Sequence, residues 1–269
     1  MFEVLKKDIN IFDSLNCGQI FRFKEVDEST YTVVSKDQLA YIKDVGDKYV
    51  IESTNDEYFK GFLNLDINYT GILNALRKNP YLKDIIPEGK VPLRILKQDL
   101  FEMIISFIIS ANNNIPRIKG IIEKICVGDG EIIKDGYYSF PTAQKLAKRD
   151  VKYFESLGAG YRAPYILKTA KDLANNIVNI NDLETKSTEE IRRILIALAG
   201  IGPKVADCIL LFGLNRYDVF PVDTWIKKVY VDLFKKDNTP ENMRKDFIKT
   251  FGDYSGIAQQ YLFYAKRGK

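Results

Sequence analysis

Residues 198–208 place a tight glycine turn between two apolar helical segments, and this pattern constrains the fold more than any other in the chain. The turn has the sequence Gly200-Ile-Gly-Pro-Lys204. Glycine is typical of a helix end, and proline is favoured in the first turn of a helix because its missing N–H is not needed there. We therefore predict a helix–hairpin–helix over about residues 189–213.

The predicted turn is suited to binding the backbone of DNA. It exposes backbone N–H groups beside the start of a helix, where a phosphate binds favourably. We accordingly expect Gly200 and Gly202 to contact DNA, and the carbonyl groups of the turn could hold a monovalent cation that bridges to the phosphate. A hairpin that serves only for packing has the same pattern, so that alternative stays open.

Lys204 and Asp223 are the candidate catalytic residues. A lysine amine becomes a nucleophile when burial and the positive end of a helix dipole favour its neutral form, whereas a solvated lysine only binds a phosphate by charge. Asp223 closes the Pro-Val-Asp loop, residues 221–223, nineteen positions after Lys204. It can cap the following helix or stabilise positive charge that develops on a sugar, and the two roles are compatible.

The composition excludes several kinds of site. Histidine is absent from the 269 residues, so neither a Ser-His-Asp triad nor a His-ligated metal can form. The three cysteines, Cys17, Cys126 and Cys208, are too few for a four-cysteine zinc or iron–sulfur site. We expect no metal site and no required cofactor. The net charge of +4 permits a phosphate-bearing partner without demanding one.

The chain has no apolar run of the roughly 20 residues that a membrane helix needs. Charged residues are mixed among the apolar ones at the N-terminus, which is not typical of a signal peptide. We therefore expect a cytoplasmic protein without membrane contact. Because of the DNA-binding turn we also expect it to associate with the nucleoid, and we expect it to be a monomer.

Hydrophobic patterns predict an α+β fold in two parts. Turn-separated segments rich in β-branched and aromatic residues predict an antiparallel sheet with strands at 19–23, 30–34, 39–43 and 49–53. Helical periodicity appears around 57–63 and 71–76, and from about residue 96 it continues almost to the end. Ser187-Thr-Glu-Glu190 is a capping box that begins one of these helices. We predict an N-terminal antiparallel α+β domain, residues 1–95, and an all-helical domain, residues 96–269.

Taken together, these motifs resemble the helix–hairpin–helix Gly-Pro-Asp superfamily of base-excision DNA glycosylases, in which a lysine at this place marks the members that also cut the strand. Within it, the chain is most similar to the 8-oxoguanine DNA glycosylase family. The matching strings follow the family's order along almost the whole chain: Cys17-Gly-Gln-Ile-Phe-Arg-Phe23, Ser110-Ala-Asn-Asn-Asn-Ile-Pro-Arg117, Leu157-Gly-Ala-Gly-Tyr-Arg-Ala163 and Ala258-Gln-Gln-Tyr-Leu-Phe-Tyr-Ala265. The resemblance implies a glycosylase and lyase that acts on duplex DNA containing 8-oxoguanine, preferably opposite cytosine, without an iron–sulfur cluster.

The resemblance also implies a role for each matched residue around the damaged base, which must leave the duplex to be reached. Lys204 would attack the sugar C1′ and form a Schiff base that permits β-elimination of the 3′ phosphate, and Asp223 would stabilise the positively charged sugar. The Gly18 carbonyl and the Gln259 amide would bind the base. Cys208 and Phe263 would pack against it. From the residues alone, Cys208 and Phe263 could equally belong to the core, and Gly18 to a bulge.

A second set of matched residues would bind the DNA around the gap. Arg117 and Arg162 would read the orphaned cytosine, Tyr161 would wedge into the stack, and Asn112 would enter the vacated space. Either arginine could instead contact a phosphate or lie at the surface.

At two positions the chain departs from the best-known members of the family. Trp225 stands where they commonly carry a histidine that touches a phosphate, and Lys266 replaces an acidic residue of the last helix. Two other functions stay open. One is a related glycosylase for another damaged base, such as an oxidised pyrimidine or an alkylated purine. The other is a non-catalytic DNA-binding protein, in which arginine could replace Lys204 with little loss.

Overall fold

The computed structural model describes residues 1–267, and a five-stranded antiparallel sheet occupies its amino-terminal part. The strands are β1 (Phe2–Leu5), β2 (Phe23–Asp27), β3 (Thr30–Ser35), β4 (Gln38–Val45) and β5 (Lys48–Ser53). Their spatial order is β1-β5-β4-β3-β2, so β2 to β5 form a meander and β1 adds to its edge. The predicted strands at 30–34, 39–43 and 49–53 are confirmed as β3, β4 and β5.

One face of the sheet packs against two short helices, α1 (Ile11–Asn16) and α2 (Asp56–Phe62). Alternate strand residues such as Val33, Ile42 and Ile51 are completely buried there. After α1 the chain runs between the two cores, because Ile20 packs in the small core while Cys17 and Phe21 belong to the larger core formed by the helices. The segment after α1 therefore connects the sheet to the helical part.

The predicted strand at residues 19–23 is wrong, except that Phe23 begins β2. Gln19 is completely buried, and its side-chain amide donates to the Arg94 carbonyl and accepts from the Leu96 N–H, each at 2.8 Å. These bonds to a distant segment replace a strand ladder. The apolar alternation at 19–23 therefore serves an irregular segment that is buried within the fold.

Beyond residue 68 the chain is mainly helical. The helices are α3 (Tyr69–Arg77), α4 (Leu100–Ser110), α5 (Ile115–Asp129), α6 (Ala143–Ala147), α7 (Val151–Ser156), α8 (Ala163–Ala174), α9 (Thr188–Ile196), α10 (Pro203–Leu214), α11 (Thr224–Phe234), α12 (Pro240–Phe251) and α13 (Ser255–Arg267). A small hairpin, β6 (Ile132–Lys134) and β7 (Tyr137–Tyr138), interrupts them. The α+β fold class is confirmed, although the second part is not wholly helical.

The larger core is centred on α4 and α10. Both helices are buried over most of their length, as expected for helices that are apolar on nearly all sides. Their contact includes stacked rings of Phe107 and Phe212, whose centroids are 5.6 Å apart. Lys204, in the first turn of α10, is thereby placed at the rim of this core. The α3 helix also packs into this larger core, although it precedes the predicted domain boundary at residue 95. That boundary stays a prediction.

Within the described part of the chain, no helix combines the length and the apolar character needed to cross a bilayer.

Candidate active site and DNA interface

A tight turn joins α9 to α10, and its two glycines differ in their surroundings. Gly200 has a φ of +80°, and a Cβ added there would lie 2.7 Å from the Cβ of Tyr165 in α8. Both the backbone and the neighbouring helix therefore require glycine at this position. Gly202, the N-cap of α10, has no atom within 4 Å of an added Cβ. The space beside Gly202 is open, so a phosphate can approach the first N–H groups of α10.

Replacing Gly200 by alanine is expected to lower the free energy of unfolding by about 1–3 kcal/mol, because the left-handed backbone and the contact with Tyr165 both oppose a side chain. Gly202→Ala is the matched control and should cost less than about 1 kcal/mol. Urea unfolding of both variants measures the difference. Equal losses of stability would contradict this account of the turn.

A narrow cavity of about 50 Å³ lies between the starts of α10 and α11, the loop after α1, and α13. All the residues predicted to be catalytic or base-binding line it: Gly18, Lys204, Cys208, Asp223, Gln259 and Phe263. These residues come from four separate segments of the chain, and the aromatic rings of Phe107 and Phe212 complete the wall. The fold thus gathers one amine, one carboxylate and one buried amide around a single space.

Lys204 and Asp223 stand where this cavity opens, because both also line the wider groove outside it. Lys204 is half-buried, and its Nζ lies 5.5 Å from the centroid of the Phe107 ring. The Asp223 Oδ1 accepts a hydrogen bond from the Ile226 N–H at 2.8 Å, which makes Asp223 the N-cap of α11. The cap fixes the carboxylate at the cavity wall, so the structural and chemical roles of Asp223 are compatible.

Cys208 and Gln259 line the buried part of the cavity. Burial raises the pKa of the Cys208 thiol to about 11, so at neutral pH this side chain is an uncharged, polarisable packing surface. The Gln259 side chain is buried on α13, and its Oε1 has no hydrogen-bond partner within residues 1–267. A buried acceptor without a partner costs free energy. A ligand that brings an N–H donor into the cavity would remove that cost.

Gly18 and Phe263 face each other across the cavity. Gly18 has a φ of +86°, and the Phe263 ring approaches to 3.5 Å from the position that a Cβ would take there. Gln260 donates a hydrogen bond to the Cys17 carbonyl at 2.6 Å and ties the Gly18 segment to α13. A space of about 50 Å³ holds only a few water molecules. A side chain that lines the cavity must therefore move before a purine can enter, and the half-buried Phe263 ring lines both the cavity and the groove.

The cavity opens into a groove of about 900 Å³ that carries two of the predicted DNA-binding side chains, Asn112 and Arg117. Asn112 is exposed and has a φ of +52°, so it lies at a sharp bend after α4. Arg117, also exposed, donates from Nη2 to the Gly158 carbonyl at 3.0 Å. Their cationic and amide groups border the same opening as the catalytic pair.

Tyr161 and Arg162 line neither the groove nor the cavity in the described part of the chain. The Tyr161 hydroxyl donates to the Ala111 carbonyl at 3.2 Å, and 56% of this residue is exposed. Arg162 is only 3% exposed, and its guanidinium donates to the carbonyls of Ala111 and Asn112, each at 2.8 Å. In this structure Arg162 braces the bend that carries Asn112. To read a base directly, it would have to exchange these bonds.

Sequence reasoning missed several residues of the site, among them Phe107, Gln260 and Arg267. Phe107 is one of several apolar residues on α4, so its sequence context carries no signal. Gln260 does carry one, because a polar residue in an otherwise buried helix segment usually has a fixed partner. Arg267 lines the groove, with its guanidinium carbon 6.0 Å from the centroid of the Phe263 ring.

The positions that depart from the family pattern also lie near the site. Trp225 lines the groove two residues after Asp223. Lys266 pairs with Asp232 at 2.6 Å and so connects α13 to α11. A lysine at this position thus has an acidic partner within the chain. Across residues 1–267, no group of three or more His, Cys, Asp or Glu side chains could hold a metal ion.

Comparison with known proteins assigns this arrangement to a family. Residues 1–104 match the family model of the 8-oxoguanine DNA glycosylase N-terminal domain, and residues 105–252 match that of the HhH-GPD superfamily base excision DNA repair protein. The chain belongs to the 8-oxoguanine DNA glycosylase family. The enzyme class predicted from the sequence, a DNA N-glycosylase with lyase activity, is confirmed by this membership and by the relatives that follow.

Relatives in this glycosylase family are similar over most of the chain. The N-glycosylase/DNA lyase of Saccharomyces cerevisiae is 31% identical over 264 residues, which cover 82% of this chain and 68% of that protein. The apo-form of the Clostridium acetobutylicum 8-oxoguanine glycosylase/lyase is 37% identical, with a TM-score of 0.91 over 96% of this chain and 93% of that chain. Its complex with double-stranded DNA containing cytosine opposite 8-oxoguanine is 35% identical, with a TM-score of 0.92 over 100% and 98% of the two chains.

Proposed function

We propose that this glycosylase removes 8-oxoguanine from duplex DNA and then cuts the strand at the resulting abasic site. The observation that carries the proposal is the convergence of the amine, the carboxylate and the base-binding side chains on one cavity at the edge of an open groove. A base can be processed there only after it has left the duplex, which matches a narrow cavity that opens into a surface groove wide enough for DNA.

The proposed chemistry begins at Lys204. Its neutral amine attacks C1′ of the extruded nucleotide, the bond from C1′ to the base breaks, and the base leaves with the electron pair and takes up a proton. The Asp223 carboxylate stabilises the positive charge that develops on the sugar. Opening of the sugar gives a Schiff base between Lys204 and C1′. Loss of a proton from C2′ then expels the 3′ phosphate by β-elimination.

The proposed recognition of the base depends on groups that are buried before DNA binds. The unpartnered Oε1 of Gln259 would accept a hydrogen bond from the Watson–Crick edge of a guanine-type base. The Gly18 carbonyl would accept from the N7–H, which an oxidised guanine has and an ordinary guanine lacks. The neutral Cys208 thiol and the displaced Phe263 ring would pack on opposite faces of the base.

The proposed contacts with the rest of the DNA use the bend after α4 and the turn before α10. Arg117 and Arg162 would donate to the orphaned cytosine, while Asn112 and Tyr161 would occupy the gap. A phosphate would bind at the turn that contains Gly200 and Gly202. We also propose that the carbonyl groups of the turn hold a monovalent cation. A phosphate beside the open side of Gly202 would bind this cation as well. We further propose that the glycosylase acts as a cytoplasmic monomer on nucleoid DNA.

A panel of duplexes tests the proposed substrate and opposite base. Each duplex carries 8-oxoguanine, an oxidised pyrimidine, 3-methyladenine or an undamaged guanine, and single-turnover cleavage is measured for each. We expect cleavage of 8-oxoguanine to be fastest, and faster opposite cytosine than opposite the other bases by about tenfold, because guanidinium groups discriminate a base through paired hydrogen bonds. Preference for another damaged base would overturn the proposed substrate. Equal rates opposite all four bases would refute reading by the arginines.

A further inference from the structure

Trp225 is the only tryptophan in the chain. It is the second residue of α11, is 39% exposed, and lines the groove beside Lys204 and Asp223. It does not line the cavity that would receive the extruded base. The indole therefore faces the space that the neighbouring part of the DNA strand would occupy.

The Lys228 ammonium group lies against the indole. Its Nζ lies 4.9 Å from the centroid of the ring, one helical turn further along α11. An ammonium group on the ring restricts its orientation and adds positive charge near the groove, where Arg117 and Arg267 already lie. Aromatic rings among cationic side chains are typical of surfaces that bind nucleic-acid strands.

We propose that Trp225 is a stacking platform for the nucleotide that flanks the extruded one in the same strand. The inference rests on the proposed function and adds a residue that positions the strand rather than the damaged base. An indole has no charge, so it contributes by ring contact, which is sequence-tolerant and does not release counterions. Lys228 acts through the indole as a positioning residue.

Because Trp225 is the sole tryptophan, its emission reports directly on this contact. The probe is a duplex with a tetrahydrofuran abasic analogue opposite cytosine, which has no glycosidic bond to break and no C1′ hydroxyl to form a Schiff base. We expect the tryptophan fluorescence of the wild-type protein to change saturably as this duplex is added. An emission unchanged at saturating duplex, with binding shown by electrophoretic mobility shift, would overturn the proposal.

Variants at Trp225 separate ring contact from charge. Trp225→Ala is expected to weaken binding of the same duplex about tenfold or more, and Trp225→Phe about threefold or less, because a smaller ring still stacks. The slope of log K against log salt concentration should not change in either variant. Tyr254→Ala is the control, since Tyr254 is 36% exposed and does not line the groove. Its binding should match that of the wild-type protein.

Two results for the variants would overturn the proposal: binding by Trp225→Ala as tight as that of the wild-type protein, or a reduced salt slope that indicates an ionic contact. Borohydride trapping on a duplex containing 8-oxoguanine distinguishes failure of the inference about Trp225 from failure of the proposed function. If the wild-type protein forms the adduct while Trp225→Ala binds normally, only the inference about Trp225 fails. If the wild-type protein forms no adduct, the proposed function fails regardless of Trp225.

Discussion

Replacing Lys204 by glutamine is expected to abolish strand cleavage and borohydride trapping, with a loss of activity on the order of 10³-fold or more. The amide nitrogen of glutamine is not nucleophilic and cannot form a Schiff base, while the side chain still fills much of the space beside Phe107. Single-turnover cleavage of a duplex containing 8-oxoguanine opposite cytosine measures the loss. Binding of that duplex should persist, since the groove and the turn are unchanged.

Lys204→Arg is the matched control for this variant. Arginine keeps the positive charge that a phosphate contact needs, but its guanidinium does not form the Schiff base. We expect Lys204→Arg to be as inactive as Lys204→Gln while binding DNA at least as tightly. Substantial cleavage by either variant would contradict the assignment of Lys204 as nucleophile. Full activity of Lys204→Arg alone would instead support the role of a phosphate contact.

The largest expected effect on stability comes from Asp207, which is 2% exposed on α10. Its Oδ1 lies 2.8 Å from Arg192 Nε of α9, and its Oδ2 lies 3.3 Å from Arg244 Nε of α12. Both arginines are also nearly buried, and each has a second carboxylate partner nearer the surface. Arg192 pairs with Glu241 at 2.8 Å. Arg244 pairs with Glu189 at 2.6 Å. One buried carboxylate thus joins three helices, one turn away from Lys204.

Asp207→Ala is expected to lower the free energy of unfolding by about 3–5 kcal/mol, because it leaves buried guanidinium groups without their shared partner. Glu241→Gln is the control. The Glu241 side chain is 41% exposed, so its ion pair should contribute no more than about 1 kcal/mol. Urea unfolding with a fluorescence or circular-dichroism signal measures both variants.

A further variant identifies the cause of that loss. When Arg192→Met and Arg244→Met are added to Asp207→Ala, most of the lost stability should return, because the buried guanidinium charges that Asp207 neutralised are gone. A stability of Asp207→Ala equal to that of the wild-type protein would show that the three helices do not depend on this carboxylate. Failure of the added methionines to restore stability would point to lost packing rather than charge.

Local patterns in the sequence predict much of the fold. The capping box at 187–190, the proline that begins α10 and the aspartate that begins α11 each act within one helical turn, and each lies where the sequence places it. The segment 19–23 has a strand pattern and is not a strand, because Gln19 binds the segment around Arg94 and Leu96, which lies far along the chain. Long-range side-chain bonds of this kind leave no periodic signal.

The candidate site was predictable in part, for a similar reason. Lys204 and Asp223 stand at helix starts, where the residue type and its position suggest chemistry. Their association with Gly18 and Gln259 depends on resemblance to a family, because no local pattern brings four distant segments together. The burial of Arg162 could not be predicted. It depends on hydrogen bonds to the carbonyl groups of Ala111 and Asn112 in the bend after α4, which is distant in the sequence.

Peptide mapping of the borohydride-reduced adduct is the most direct test of the central claim, that Lys204 at the mouth of the base cavity is the nucleophile. The wild-type protein is incubated with a duplex containing 8-oxoguanine, reduced, digested and analysed by mass spectrometry. We predict a sugar remnant on the peptide that contains Lys204 and on no other peptide. A remnant on another lysine, such as the exposed Lys227 or Lys228 of α11, or on the N-terminal amine would contradict this assignment.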